Sequence, residues 1–279
     1  MEENIVYHYC DCQTFRNILE SKVLWLCDLT DSNDEEEIIS TFKTLWNNVK
    51  KNIKERDLPK DVMEFVIENV DRQFEIELRK LEVFGICFCK SEDLFAQWRE
   101  YGDSTKGVSL GFDLNWFNKN CNIHQKKPVS NTIQSNAIGY DDVIYDSQKL
   151  VDDFTDICDQ AIRDFGANAW IFKISPTFKH YSGFIKNDSF KTEHEVRIIY
   201  YPMTNISFRE NDVDISGLKD GVKKHYEIRW INDISQSLKS ICIGHNSELD
   251  ESSIRQLLEK NGIDPKIEIK QSKCHYRLR

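Results

Sequence analysis

The chain has 279 residues and a mass of 32.9 kDa, which fits one large domain or two small ones. Its 40% hydrophobic and 30% charged residues place it among ordinary globular chains, outside disordered, collagenous or membrane compositions. Thirty-seven Lys and Arg against 47 Asp and Glu leave a net charge of −10, so no general field gathers phosphate backbones, although a local basic strip would still bind nucleic acid. Nine cysteines without a C-x-x-C pair fit reduced thiols, and the opening residues carry neither the basic nor the apolar region of a signal peptide. The expected location is therefore the cytoplasm, away from membranes.

Ile5 to Cys10 reads as a strand, Thr14 to Leu19 as a short helix and Val23 to Leu26 as a second strand. Asp31, Ser32 and Asn33 form an N-cap cluster before Glu35, Glu36 and Glu37, and apolar residues then recur with helical spacing from Ile38 to Ile53. The same period runs from Val62 to Leu81 and from Leu150 to Phe165, where Gly166 closes the third helix. Strands are expected at Val83 to Cys89, Gly107 to Leu114, Trp170 to Ser175, Glu195 to Tyr201, Ser240 to Gly244 and Lys266 to Lys270, with a last helix before Asn261. With no linker and no repeat, this pattern predicts a single α+β domain over residues 1–279. Its core is one mixed or antiparallel β-sheet, with a helical insertion at about 34–82.

Within Phe84 to Cys89, Phe84, Ile86 and Phe88 point one way and Gly85, Cys87 and Cys89 the other. The small face leaves room for a ligand or for close helix packing, with packing slightly ahead. Ser91 is a predicted N-cap for a helix from Glu92 to Tyr101, on which Leu94, Phe95, Trp98 and Tyr101 share a face; spacing alone favours core over a ligand platform for Trp98 and Tyr101. Glu193, Glu195, Arg197 and Ile199 are expected to share one strand face. Two carboxylates and a guanidinium in a row either line a cleft or form a structural bridge, and spacing alone favours the bridge. His8, between Tyr7 and Tyr9, is a ligand contact or a satisfied strand-edge histidine. Metal-ligand spacings, P-loop, Rossmann and hydrolase motifs are all absent, so no metal is expected.

The order Tyr7-His-Tyr9, Leu24-Trp-Leu26, Asn33-Asp34 with Glu37, Cys87-Phe-Cys-Lys-Ser91, Trp98-Arg-Glu-Tyr101, Lys106-Gly-Val-Ser-Leu-Gly-Phe-Asp113, Glu193-His-Glu-Val-Arg197 and Ile241-Cys-Ile-Gly244 resembles the bacterial domain-of-unknown-function family numbered twenty-nine seventy-one. The W-x-x-Y helix leading into K-G-x-x-L-G-F-D and the E-x-E-x-R strand are its most specific parts. Where many members carry N-D-P-F-E this chain has Asn33-Asp-Glu-Glu-Glu37, and Cys89 stands where serine is common. Some members look associated with phage defence, which would imply a partner protein from a defence operon.

The segment order also resembles ADP-ribosyltransferases, although their S-T-S motif is absent. That resemblance implies an ADP-ribosyltransferase-like fold and NAD as substrate, with ADP-ribose passed to a protein or nucleic-acid acceptor. Glu195 would stabilise the ribosyl oxocarbenium ion and Glu193 would serve the acceptor. His8 would hold a ribose hydroxyl within the motif order that also includes Ser91, Trp98 and Tyr101 would stack on a ring, and Arg197 or Lys90 would pair with pyrophosphate. A non-catalytic sensor or interaction module, and an NAD or nucleotide glycohydrolase, stand as alternatives.

Overall fold

The computed structural model describes residues 4–29, 35–79, 83–125, 138–201 and 225–275. Its first elements are β1 (Ile5–Cys10), α1 (Cys12–Ser21), β2 (Val23–Asp28), α2 (Glu35–Lys54), α3 (Lys60–Arg79), β3 (Phe84–Cys89), α4 (Phe95–Glu100), β4 (Val108–Asp113) and α5 (Leu114–Cys121). The chain continues through β5 (His124–Gln125), β6 (Ile138–Asp142), α6 (Ser147–Phe165), α7 (Ser175–Ser182), β7 (Glu195–Tyr200), β8 (His225–Arg229), β9 (Leu238–Ile243), α8 (Glu251–Lys260) and β10 (Glu268–Gln271).

Among the described residues these ten strands form one mixed sheet in the order β10-β9-β4-β1-β3-β7-β6-β5, with β2 and β8 branching from β3. The α+β class is as the sequence predicts. The branch arises because β3 has two partners along one edge: β1 meets it at Tyr7 opposite Cys89, and β2 meets it at Cys27 opposite Gly85. Alternation sorts the two faces. Val6, Phe84, Ile86, Phe88, Val196 and Ile198 enter the main core, which α1, α5 and α8 cover with Phe15, Phe117 and Ile254.

The long helices begin and end as their sequences dictate. Asp146 caps α6 by accepting from the backbone N–H groups of Gln148 and Lys149, and Gly166 supplies the positive φ of 54° at its end. The predicted cap of α2 at Asp31 to Asn33 lies outside the described residues. Helices α2 and α3 lie within the span expected for the helical insertion. They share a second apolar core with α6 and α7, in which Trp46, Val49, Val66, Phe154 and Phe178 are buried together.

The strand predicted from Trp170 to Ser175 is a turn of π-helix over Trp170–Ile174 that runs directly into α7. Trp170 and Ile174 are buried while Ile171 and Phe172 face solvent, which is the four-residue recurrence of a helix and not the two-residue alternation of a strand. Pro176 has no N–H for the carbonyl of Phe172, and the widened turn lies just ahead of it. Strands β5, β6 and β8 were not predicted; in β8 the alternation of Tyr226 and Ile228 toward the main core with His225, Glu227 and Arg229 on the other face was the signal that would have found it.

Candidate functional site

The second face of the sheet carries the charged residues. Cys89 pairs with Glu195 and Cys87 with Arg197, so these four side chains project on the side opposite Phe88 and Val196. The strand begins only at Glu195. Glu193 ends a short 3-10 helix, Asp188–Glu193, and His194 turns the chain with a left-handed φ of 47°. The expected row of Glu193, Glu195 and Arg197 along one strand is thus corrected: Glu193 reaches the cluster from a turn, because His194 interrupts the pleat.

The gathered groups form a network of two cations and two carboxylates. Arg197 Nε donates to Glu195 Oε1 at 2.7 Å and Nη2 to Oε2 at 3.1 Å, while Nη1 donates to the Gly183 carbonyl at 3.1 Å. Lys186 Nζ donates to Glu193 Oε2 at 2.8 Å and to Glu195 Oε2 at 3.4 Å, and lies 4.7 Å from the centre of the Phe190 ring. All four charged residues are buried, Glu195 to 5% exposure. The backbone N–H of Glu195 donates to the Tyr145 hydroxyl at 3.1 Å.

Burial pushes the Glu195 carboxyl up, but the Arg197 guanidinium and then the Lys186 ammonium outweigh it and hold the group below its usual range. Burial likewise pulls the Lys186 ammonium down, and Glu195 and Glu193 more than reverse that. The Tyr101 hydroxyl is pushed up to about 12, first by burial, with Lys186 opposing and Glu193 and Cys87 adding to the rise. Tyr145 is also raised to about 12, mainly by burial. Burial raises the Cys87 thiol, and Glu195 beside it adds to the effect. Half of Tyr101 is exposed, and the charges of this network still reach its hydroxyl.

The other expected site residues are placed elsewhere. His8 lies on the opposite face from Glu195, because Tyr7 is the β1 residue in register with Cys89 and side chains alternate. Its Nδ1 lies 3.1 Å from the Cys87 carbonyl oxygen, within the fork where β3 passes from β1 to β2, and its ring meets that of Phe88 edge to face. Burial pushes its imidazole down, which makes Nδ1–H the donor of a neutral ring.

Trp98 has 0% exposure: its ring stands edge-on to Tyr9 at 4.9 Å and its Nε1 donates to Asp93 Oδ1 at 2.6 Å. The shared face expected for Trp98 and Tyr101 is corrected, since one ring is sealed beneath α4 and the other lies at the surface. The predicted cap is corrected too: α4 starts only at Phe95 after an uncapped Leu94, while the Ser91 carbonyl accepts from the Tyr9 hydroxyl at 2.8 Å. Lys90 is exposed and pairs with Asp142 at 2.7 Å.

The structure therefore brings Glu193, Glu195 and Arg197 together, with Tyr101 within reach of their charges, and leaves His8, Trp98, Ser91 and Lys90 outside. Sequence reasoning missed Lys186 and Tyr145; a lysine closing the apolar run Phe184-Ile185-Lys186 was the available signal. Among the described residues no group of three or more His, Cys, Asp or Glu side chains is placed to hold a metal ion, and no helix is long and apolar enough to cross a membrane.

Residues 97–198 match the model of a family described as "Protein of unknown function (DUF2971)". The matched stretch takes in both the Trp98 helix with its following strand and the Glu193 to Arg197 segment. No curated protein and no solved structure matches the chain.

Proposed function

We propose that this chain, whose residues 97–198 match the DUF2971 family, is a non-catalytic binding module, in which the Lys186–Glu193–Glu195–Arg197 network clamps the turn before β7 and the end of α7 onto the sheet. The observation that carries this reading is the state of Glu195. Both of its oxygens already accept from Arg197, one also from Lys186, and the residue is almost wholly buried. A carboxylate that stabilises an oxocarbenium ion has to offer its charge to an open cleft, and here that charge is matched by two fixed cations. Incubation of the wild-type chain with NAD tests the reading. No nicotinamide release is expected, together with a large loss of thermal stability in Glu195→Gln. Release by the wild type that Glu195→Gln abolishes at unchanged Tm overturns it.

A second reading, an ADP-ribosyltransferase-like enzyme that cleaves NAD and passes ADP-ribose to a macromolecular acceptor, draws support from one feature. The Tyr145 hydroxyl accepts from the Glu195 backbone N–H at 3.1 Å, and the charges of Lys186, Glu193 and Glu195 reach the hydroxyl of the half-exposed Tyr101. In that reading a substrate pyrophosphate would draw Lys186 off Glu195 and pair with Arg197 as well, which together would free the carboxylate. The same assay separates the two.

A further inference from the structure

Five of the six tryptophans, Trp46, Trp98, Trp116, Trp170 and Trp230, are buried, whereas Trp25 is 46% exposed in the middle of β2. Its ring stacks on the imidazole of His225, with centroids 3.8 Å apart and planes inclined by 19°. The register explains the pair: Trp25 stands opposite Glu227, Cys27 opposite His225 and Val23 opposite Arg229, so Trp25, His225, Glu227 and Arg229 share one face of the β2–β8 ladder. The other face, with Leu24, Leu26, Tyr226 and Ile228, is core. His225 is buried and its Nε2 lies 3.6 Å from Glu227 Oε1, so the imidazole is a fixed backing for the indole, and the Glu227 carboxylate is oriented beside it.

We infer that this face is a binding site for a nucleotide, with Trp25 stacking on the base, Glu227 accepting from its amino group or ribose hydroxyls, and Arg229 holding the phosphate. An aromatic side chain held rigid on one side and open on the other stacks on flat rings at little entropic cost. The carboxylate selects ligands that carry N–H or O–H donors, and a guanidinium two residues further along the strand is about 7 Å away, comparable with the span from base to phosphate. The net charge of −10 gives no general attraction for such an anion, so Arg229 has to supply it locally. The inference gives the binding-module reading a ligand class but uses none of the Lys186 network, so either can fail alone.

Trp25 is its own reporter, because the other five indoles emit as well but are buried away from a ligand stacked on this face. Wild-type emission should be titrated with adenosine monophosphate, adenosine, ribose phosphate and a short single-stranded oligoadenylate. Saturable quenching by adenosine monophosphate, absent in Trp25→Phe, is expected. Arg229→Ala, with Arg229→Gln as a second variant should the first lose its fold, is expected to weaken adenosine monophosphate about tenfold or more and leave adenosine unchanged. Tighter binding of the oligoadenylate identifies a nucleic-acid strand as the source of the nucleotide; equal or weaker binding identifies the free nucleotide. Absence of quenching, or equal affinity of the wild type for adenosine and adenosine monophosphate, overturns the inference whatever the NAD assay returns.

Discussion

Glu195 and Arg197 lie two residues apart on one strand face and meet in a two-point ion pair, Nε to Oε1 at 2.7 Å and Nη2 to Oε2 at 3.1 Å. Such a pair, once buried, is worth most as a set. Removing one member leaves the other charged and dry, which costs more than the pair contributes over an apolar substitute. The side chains are 3% and 4% exposed, so water offers neither partner compensation.

Glu195→Gln is accordingly expected to destabilise the fold by about 3–5 kcal/mol, as Arg197 and Lys186 then face one charge between them in place of two. Urea unfolding at neutral pH measures this. A loss below about 1 kcal/mol would show that the network relaxes freely and is not a clamp.

The same carboxylate sets an acid limb. Its folded pKa is depressed, so its contribution is fully present above the unfolded value of about 4.5 and is lost as pH falls from there through the folded value. Stability followed between pH 6 and pH 2 is expected to fall less steeply below about 4.5 in Glu195→Gln than in the wild type. Parallel acid limbs in the two proteins contradict it.

His8 acts earlier on the same scale. Its imidazole is held neutral below its ordinary 6.5, the unfolded chain takes up the proton first, and its stabilising contribution is lost as pH drops from 6.5 through the folded value. In His8→Gln the amide retains a donor for the Cys87 carbonyl but does not titrate. Stability at pH 7.5 is expected to stay near that of the wild type, with the slope between pH 6.5 and pH 5 reduced.

Asp93 ties the end of the chain to α4. Its Oδ1 accepts from Trp98 Nε1 and from Ser272 Oγ, both at 2.6 Å, and its Oδ2 accepts from the Lys273 backbone N–H at 2.7 Å. Asp93→Ala strands the buried indole N–H and releases residues 272–274, at an expected cost of about 1–3 kcal/mol. Trypsin should then cut after Lys273 well before the body of the protein is digested, and mass spectrometry of the early products checks it. An unchanged cleavage rate at Lys273 would mean that the β9–β10 pairing holds the segment by itself.

Much of the frame was legible because it rests on local periodicity. The small and bulky faces of Phe84 to Cys89, the shared face of Glu195 and Arg197, and the helices around Trp46 and Phe154 follow from spacings of two and of about four residues, which any chain segment shows on its own. Spacing alone also favoured core for Trp98 and Tyr101 and a structural bridge for the carboxylates; the burial of Trp98 and the Glu195–Arg197 contacts lie on that side of each choice, whereas Tyr101 is half exposed.

What the tertiary structure decided is which surfaces meet. That His8 points away from Glu195 depends on Tyr7 standing opposite Cys89, a register between segments some 80 residues apart that no local pattern encodes. Lys186 and Tyr145 enter the network from connecting segments outside β7, and Glu193 does so from a 3-10 helix, because a left-handed His194 overrides the strand. The run Trp170 to Ile174 is apolar enough for either a strand or a helix, and its packing against α6 in the second core settles it as helical turn. Alternation is a property of one segment, whereas registers, forks and buried ion pairs are properties of several at once. The sequence therefore determined the elements and their faces, and long-range packing decided which charged groups came to share a site.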